Sequence, residues 1–249
     1  MSAIHPTAII DASARIGDGC TIGAFSEVGP HTELGPGSEV QSHCSLGVHR
    51  NGGADRPLRI GARALIRSHT VVYGSSTIGE ELNTGHHVTV REHSEVGRGV
   101  QFGTYTDIQG DVSIGDYTKM HSSVFVPQNS VIEAFVWLFP RVTLTDDPHP
   151  PSETRRGITI REFAAVGAGT TIVPGVTVAR GTLVAAGSTL TKDTGDDEIW
   201  VGNPAACRGQ TSRITHSDTG RPAYPWRRHF HRGYPAEAVE LWKREFPDG

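Results

Sequence analysis

"VGAGTTIVPGVTVARGTLVAAGSTLTKD", Val166 to Asp193, decides the fold. Val166, Ile172, Val178, Val184 and Leu190 fall at every sixth residue. An amphipathic helix would place its apolar residues three and four apart, and a half-buried strand would alternate them. Neither period fits. The same step continues outward through the chain. Ile4, Ile10, Ile16, Ile22, Val28, Leu34, Val40 and Leu46 form one series. A second runs from Ile60 to Leu144, with Thr84 its one member that is not apolar, and the third runs from Ile160 to Leu190.

Four residues after each ladder position the side chain is small or β-branched: Ala8, Ala14, Cys20, Ser26 and Thr32 early, Ala164, Thr170, Val176, Thr182 and Ser188 late, with Leu82 the large exception. Each hexad therefore reads as a short strand and a tight corner. The aliphatic and the small residue point inward, and Gly, Asn or Asp tolerates the corner. Three hexads make a triangular coil of eighteen residues, and coils stack at the ~4.8 Å strand spacing. The expected fold is all-β, a parallel β-helix of roughly ten coils. Spacing leaves its handedness open. Cys20 and Cys44 stand in the small inward column and are expected in the core, whereas Cys207 lies beyond the ladder.

Composition narrows the class. A net charge of −4 argues against a broad nucleic-acid surface. The N-terminus has no basic segment followed by an apolar one, and no run approaches the ~18 apolar residues of a membrane helix. Three scattered cysteines make neither a disulfide framework nor a zinc pattern. A soluble cytoplasmic protein, with no membrane partner, is the simplest expectation.

The ladder breaks twice, at Gly47 to Arg59 and at Thr145 to Thr159. Both stretches are polar and rich in Gly or Pro, and read as loops leaving a corner. The coil is expected over residues 1–207 and a tail over 208–249. "RGYPAEAVELWKREF" reads as a short helix with Pro235 near its start and Val239, Trp242 and Phe246 on one side. A β-helix end needs covering, so the tail is expected to cap it or to clamp a neighbouring subunit. Six arginines against one acidic residue between Arg208 and Arg232 make phosphate contact a further role.

Ile-rich hexads closed by "VGNPAACRG" resemble the hexapeptide-repeat acyltransferases, a family of left-handed β-helices, over Ile4 to about Arg208. The resemblance implies a left-handed coil, a homotrimer, and acetyl-CoA or another acyl donor lying along the C-terminal coils between subunits. It puts the pantetheine arm along Ala168 and Ala186, and the nucleotide end beside Gly202, Asn203 and Pro204, with Lys192 and Arg208 near the phosphates. Ala206 stands where that family usually has a basic residue. "TGHHVTVREHSEVG", "KMHSSVFVPQNSVIE" and "LTDDPHPP" are similar to the branch that N-acetylates amino sugars carried on nucleotides. The matching positions are His86, His87, Arg91, Glu92, His121, Gln128, Asp146 and Asp147. Gln128 replaces a common Glu, and Asp146 a common Asn.

Counting gives the site a geometry. Asn129 and Asp147 are one coil apart, as are Gln128 and Asp146, so two amides are expected to stack over two carboxylates and grip a sugar's hydroxyls. His86 and His121 lie nearly two coils apart, about 10 Å within one subunit. Either His121 takes the proton from the acceptor amine or the departing thiolate does. Two other readings stay open: O-acetylation of a hydroxyl acceptor, and a zinc lyase of the carbonic-anhydrase kind. The latter's third ligand would fall on Val126, so no metal is expected.

Overall fold

The computed structural model describes residues 2–48 and 57–245. It is a left-handed parallel β-helix with three faces. These are sheets of twelve, ten and nine strands that begin at Ala3–Ile4, Ile9–Ile10 and Arg15–Ile16. Most strands are two residues long, and each pairs with the strand one coil later: Ile4 with Ile22, Val28 with Leu46, Ile114 with Ile132. Across the two loops the register is kept, Val40 pairing with Ile66 and Leu138 with Val166. The loops therefore leave and rejoin one corner without shifting any side chain to another face. Residues 49–56 of the first loop lie outside the described residues.

The ladder is the core. Ile66, Val126 and Ile172 are fully buried and Ile114 nearly so. Only the first coil is open: Ile4 is exposed and Ile10 and Ile16 are half-buried. Thr84 fits the apolar column because its hydroxyl accepts the amide of Arg67 at 2.9 Å, which satisfies it internally. The small column has the same logic. Ser26 Oγ, Thr118 Oγ1 and Thr170 Oγ1 each donate to a corner carbonyl of the next coil, and Cys20 and Cys44 point their thiols at carbonyls in the same way.

The corners differ from the sequence expectation. Glycine after the aliphatic is there for close approach rather than for a special φ. A Cβ on Gly167 would come within 2.4 Å of the Ala186 nitrogen in the coil above. The left-handed corner positions are instead often bulky: Phe25, His43, His69, His87 and Tyr105 all have φ between 54° and 62°. Their rings stack outside the coil at centroid spacings of 4.5–5.2 Å, and such stacking offsets part of the cost of left-handed backbone.

The tail's first hairpin, not its helices, covers the end of the coil: Ala205 joins the coil core and Trp200 packs against it. That hairpin, Glu198–Gly202 with Ala205–Gln210, extends the twelve-stranded sheet. The chain then turns back along the flank through α1 (Trp226–His229) and α2 (Ala236–Glu245). Trp242 and Ala238 of α2 pack on the corner ring Phe163, forming a cluster separate from the coil core. Arg227 is nearly buried, lies 4.3 Å from the Phe163 ring centroid, and makes a two-pronged ion pair with Glu245. Helix α2 follows Pro235 as the sequence suggests, with Val239 against the cluster; Phe246 lies outside the described residues. No helix among the described residues is long and apolar enough to cross a membrane.

Candidate active site

Where the tail folds onto the twelve-stranded face it leaves a groove of about 670 Å³. The strands Asn83–Thr84, Gln101–Phe102, Lys119–Met120 and Trp137–Leu138 form its floor. Phe230, Arg232 and Gly233 of the tail form its wall, and the corner with His86, Thr104, His121 and Ser122 forms its rim.

His121 follows the Lys119–Met120 strand, and its amide donates to the Leu138 carbonyl at 2.8 Å. Its ring stacks on Phe139 at 4.9 Å and tilts against Trp137 at 5.9 Å. Burial, and then the nearby charge of Lys119, hold its pKa below the usual histidine value. A neutral imidazole able to accept a proton is the consequence. His86 shares the rim, more exposed, with Nδ1 2.8 Å from the Ser68 hydroxyl.

Lys119 is the unusual cation. It is only 8% exposed, yet no carboxylate lies within ion-pairing distance among the described residues. Its Nζ sits 4.3 Å from the Tyr234 ring centroid and 5.0 Å from that of Trp137, with the Arg232 carbonyl at 3.5 Å. Burial, and secondly Arg232, push its pKa down. Arg67 is aimed by Asn83 Oδ1 and the Thr84 carbonyl. Among the described residues, three cations, two imidazoles and no acidic side chain line the groove. It is built for an anion, because a buried cation without a counter-charge gains most when one arrives.

The cofactor positions partly converge on this edge. Ala168 and Ala186 precede the left-handed corner residues Gly169 and Gly187, as His86 precedes His87, so they continue the rim toward the C-terminal end. Both are exposed. The Gly202 amide donates to Ser188 Oγ at 3.1 Å, which brings the Gly202, Asn203, Pro204 turn to the top of the same edge. Arg208 is exposed on the hairpin's outer strand. Lys192, by contrast, follows a strand of the ten-stranded sheet and belongs to the next corner.

That next corner holds the remaining predicted residues. Arg91 and Glu92 pair with each other at 2.7 Å, and Arg91 also reaches Gln109. Gln128 and Asn129 follow the strand Phe125–Val126, and Val126 itself is fully buried, so the place of a third metal ligand belongs to the core. The expected stacking of Asp147 over Asn129 does not occur. The loop departs at Asp147 and rejoins at Gly157, and a Cβ there would lie 1.8 Å from the Asn129 carbonyl oxygen. Asp146 closes the loop, its carbonyl accepting the Arg156 amide at 2.8 Å. Asp147 organises the interior: it accepts the amides of His149 and Ser152 and the Ser152 hydroxyl at 2.6 Å. Those bonds, led by the hydroxyl, bring its pKa to about 2. Within one chain, His121 and the Asp146–Asp147 loop stand on different corners.

Counting missed Lys119, Arg67 and Trp137, although the signal was present: eighteen-residue arithmetic puts Lys119 directly under Trp137 on one face. Phe230 and Arg232 carried no such signal, because the tail has no period.

The family description "Bacterial transferase hexapeptide (six repeats)" matches residues 13–47. The fold is similar to that of an Arabidopsis UDP-N-acetylglucosamine acyltransferase, with a TM-score of 0.70 at 16% identity over 83% of this chain and 74% of that one. It is also similar to a Moraxella catarrhalis UDP-N-acetylglucosamine O-acyltransferase, with a TM-score of 0.51 at 21% identity over 98% of this chain and 92% of that one. No curated protein matches the sequence. Repeat and fold agree: the chain is a hexapeptide-repeat, left-handed β-helix.

Proposed function

We propose that the protein is an acyltransferase that moves an acyl group from a coenzyme A thioester to the amine of a nucleotide-linked amino sugar. The observation that carries this reading is the rim itself. One edge of the coil presents, in order, His86, His121, Ala168, Ala186 and the Gly202–Pro204 turn. An extended thiol arm laid over the small residues would end at His121. The basic groove beside it suits the diphosphate of a nucleotide sugar, with Lys119, Arg67 and Arg232 as partners.

In the reaction the acceptor nitrogen attacks the thioester carbonyl, a C–N bond forms and the C–S bond breaks. His121, held neutral by its surroundings, takes the proton from nitrogen, and Lys119 and Arg67 orient the acceptor. Asp146 and Asp147 shape a loop that reaches a sugar only across a subunit boundary, in the homotrimer that the family resemblance implies. A hydroxyl acceptor is the second reading, supported by the same neutral imidazole, which an alcohol requires more strictly than an amine does.

The test is a panel of nucleotide-linked amino sugars and their hydroxyl counterparts, each offered with acyl-CoA while free thiol is followed. Acceptor-dependent release with the amino sugars is expected. Release with the hydroxyl compounds alone would replace N- by O-transfer, and none with any acceptor would refute the reading.

A further inference from the structure

The proposed reaction leaves the cavity next to the groove unused. Trp137, Phe139 and Ala165 on the coil and Tyr224, Trp226 and Phe230 on the tail line an open hollow of about 350 Å³, within the range of ligand pockets. Both of its indole N–H groups are already engaged. Trp137 Nε1 donates to the Tyr234 hydroxyl at 2.6 Å, and Trp226 Nε1 donates to the Phe163 carbonyl at 2.8 Å. A nucleobase brought here would leave its amide and amine edges unpaired, which is costly, whereas a hydrocarbon loses nothing. The cavity is continuous with the groove, since Trp137 and Phe230 line both. His121 lies nearly parallel to Phe139, at an interplanar angle of 11°. A carbonyl carbon held beside His121 has a path for its substituent across Phe139 and Trp137 into the cavity.

We propose that this pocket holds the acyl chain of the thioester donor, and that the group transferred is a larger apolar acyl group rather than acetyl. The inference rests on the acyl-transfer reading and refines it. The chain takes no part in bond making: nitrogen replaces sulfur at the carbonyl carbon, and the alkyl end stays among the aromatic rings. Ala165 sets the room available. It faces outward beside Trp137 and is covered by the tail, so a larger side chain there fills the pocket.

Intrinsic tryptophan fluorescence tests this directly, because Trp137 and Trp226 line the cavity. Acetyl-CoA and octanoyl-CoA are titrated separately, in parallel with turnover. Octanoyl-CoA is expected to bind at least about tenfold tighter, given the gain per buried methylene. Ala165→Phe is expected to abolish that preference. Phe230→Ala, which trims a ring that is 42% exposed, is expected to reduce it and serves if Ala165→Phe does not fold. Equal affinity for the two donors, no binding of octanoyl-CoA, or a preference that survives both substitutions overturns the proposal. Selective octanoyl binding with no acylation of any acceptor would refute the acyl-transfer reading and leave the pocket assignment standing.

Discussion

Replacing Trp242 by Ala separates the tail's contribution from that of the coil. Trp242 is 5% exposed and meets Phe135 and Tyr234 at 4.9 Å, Trp226 at 5.8 Å and Phe163 at 5.9 Å, all edge-on. Truncating a buried Trp costs about 3–5 kcal/mol. That loss falls on docking of the tail, because the Trp242 cluster shares no residue with the coil core. At about 1.4 kcal/mol per factor of ten, the tail should open on the order of 10²- to 4 × 10³-fold more often. The Arg227–Glu245 pair survives the change. Limited trypsin digestion should cut the variant in the tail well before the wild type, while the far-UV signal and thermal midpoint of the coil stay nearly unchanged. Activity should fall with the tail, since Phe230 and Arg232 wall the groove. A variant whose tail stays protease-resistant and fully active would refute the account, as would a coil that melts along with the tail.

His121→Ala should lower turnover by roughly 100-fold or more if His121 is the base; turnover kept within a small factor at saturating acceptor assigns the proton to the thiolate. Lys119→Met removes one of the two causes that depress the His121 pKa, so the acid limb of the kcat profile should move to higher pH, and an unmoved limb would contradict the coupling. Ala186→Trp should weaken donor binding in calorimetry, and unchanged affinity would remove the donor from that edge. Asp147→Asn should loosen the loop, seen as faster proteolysis within residues 147–156. The carboxylate's folded pKa of about 2 lies below its ordinary value, so its contribution is complete above about pH 4 and is lost as pH falls through 2; loop protection that vanishes already near neutral pH would contradict this sign.

The fold was legible because a coil is a local rule repeated. Ile66, Val126 and Ile172 were marked as inward by period alone, and eighteen-residue register followed from three hexads per turn. The site was legible only where it obeys the same period. His86, His121, Ala168 and Ala186 fall on one edge because each lies at the same turn of the coil, His86, Ala168 and Ala186 one residue before its left-handed position and His121 two before Ser123. Counting failed at Asp147, where the loop departs and Gly157 takes the place over Asn129. It failed again in the tail, where nothing periodic announces that Trp242 seeks Phe163 or that Arg232 reaches Lys119. The corner rings escaped notice for another reason: a sequence rule that assigns left-handed backbone to Gly, Asn and Asp does not foresee a His in that conformation held by the ring below it.

The central claim is acyl transfer at the groove beside His121, and the most direct measurement is mass spectrometry of the acceptor. Purified protein is mixed with an acyl-CoA and a nucleotide-linked amino sugar, and the sugar's mass is read before and after. The account predicts a gain of one acyl group on the sugar, matched by an equal amount of free coenzyme A and strongly reduced with His121→Ala. An unchanged sugar mass across the panel of acceptors and donors, with the donor intact, would contradict it.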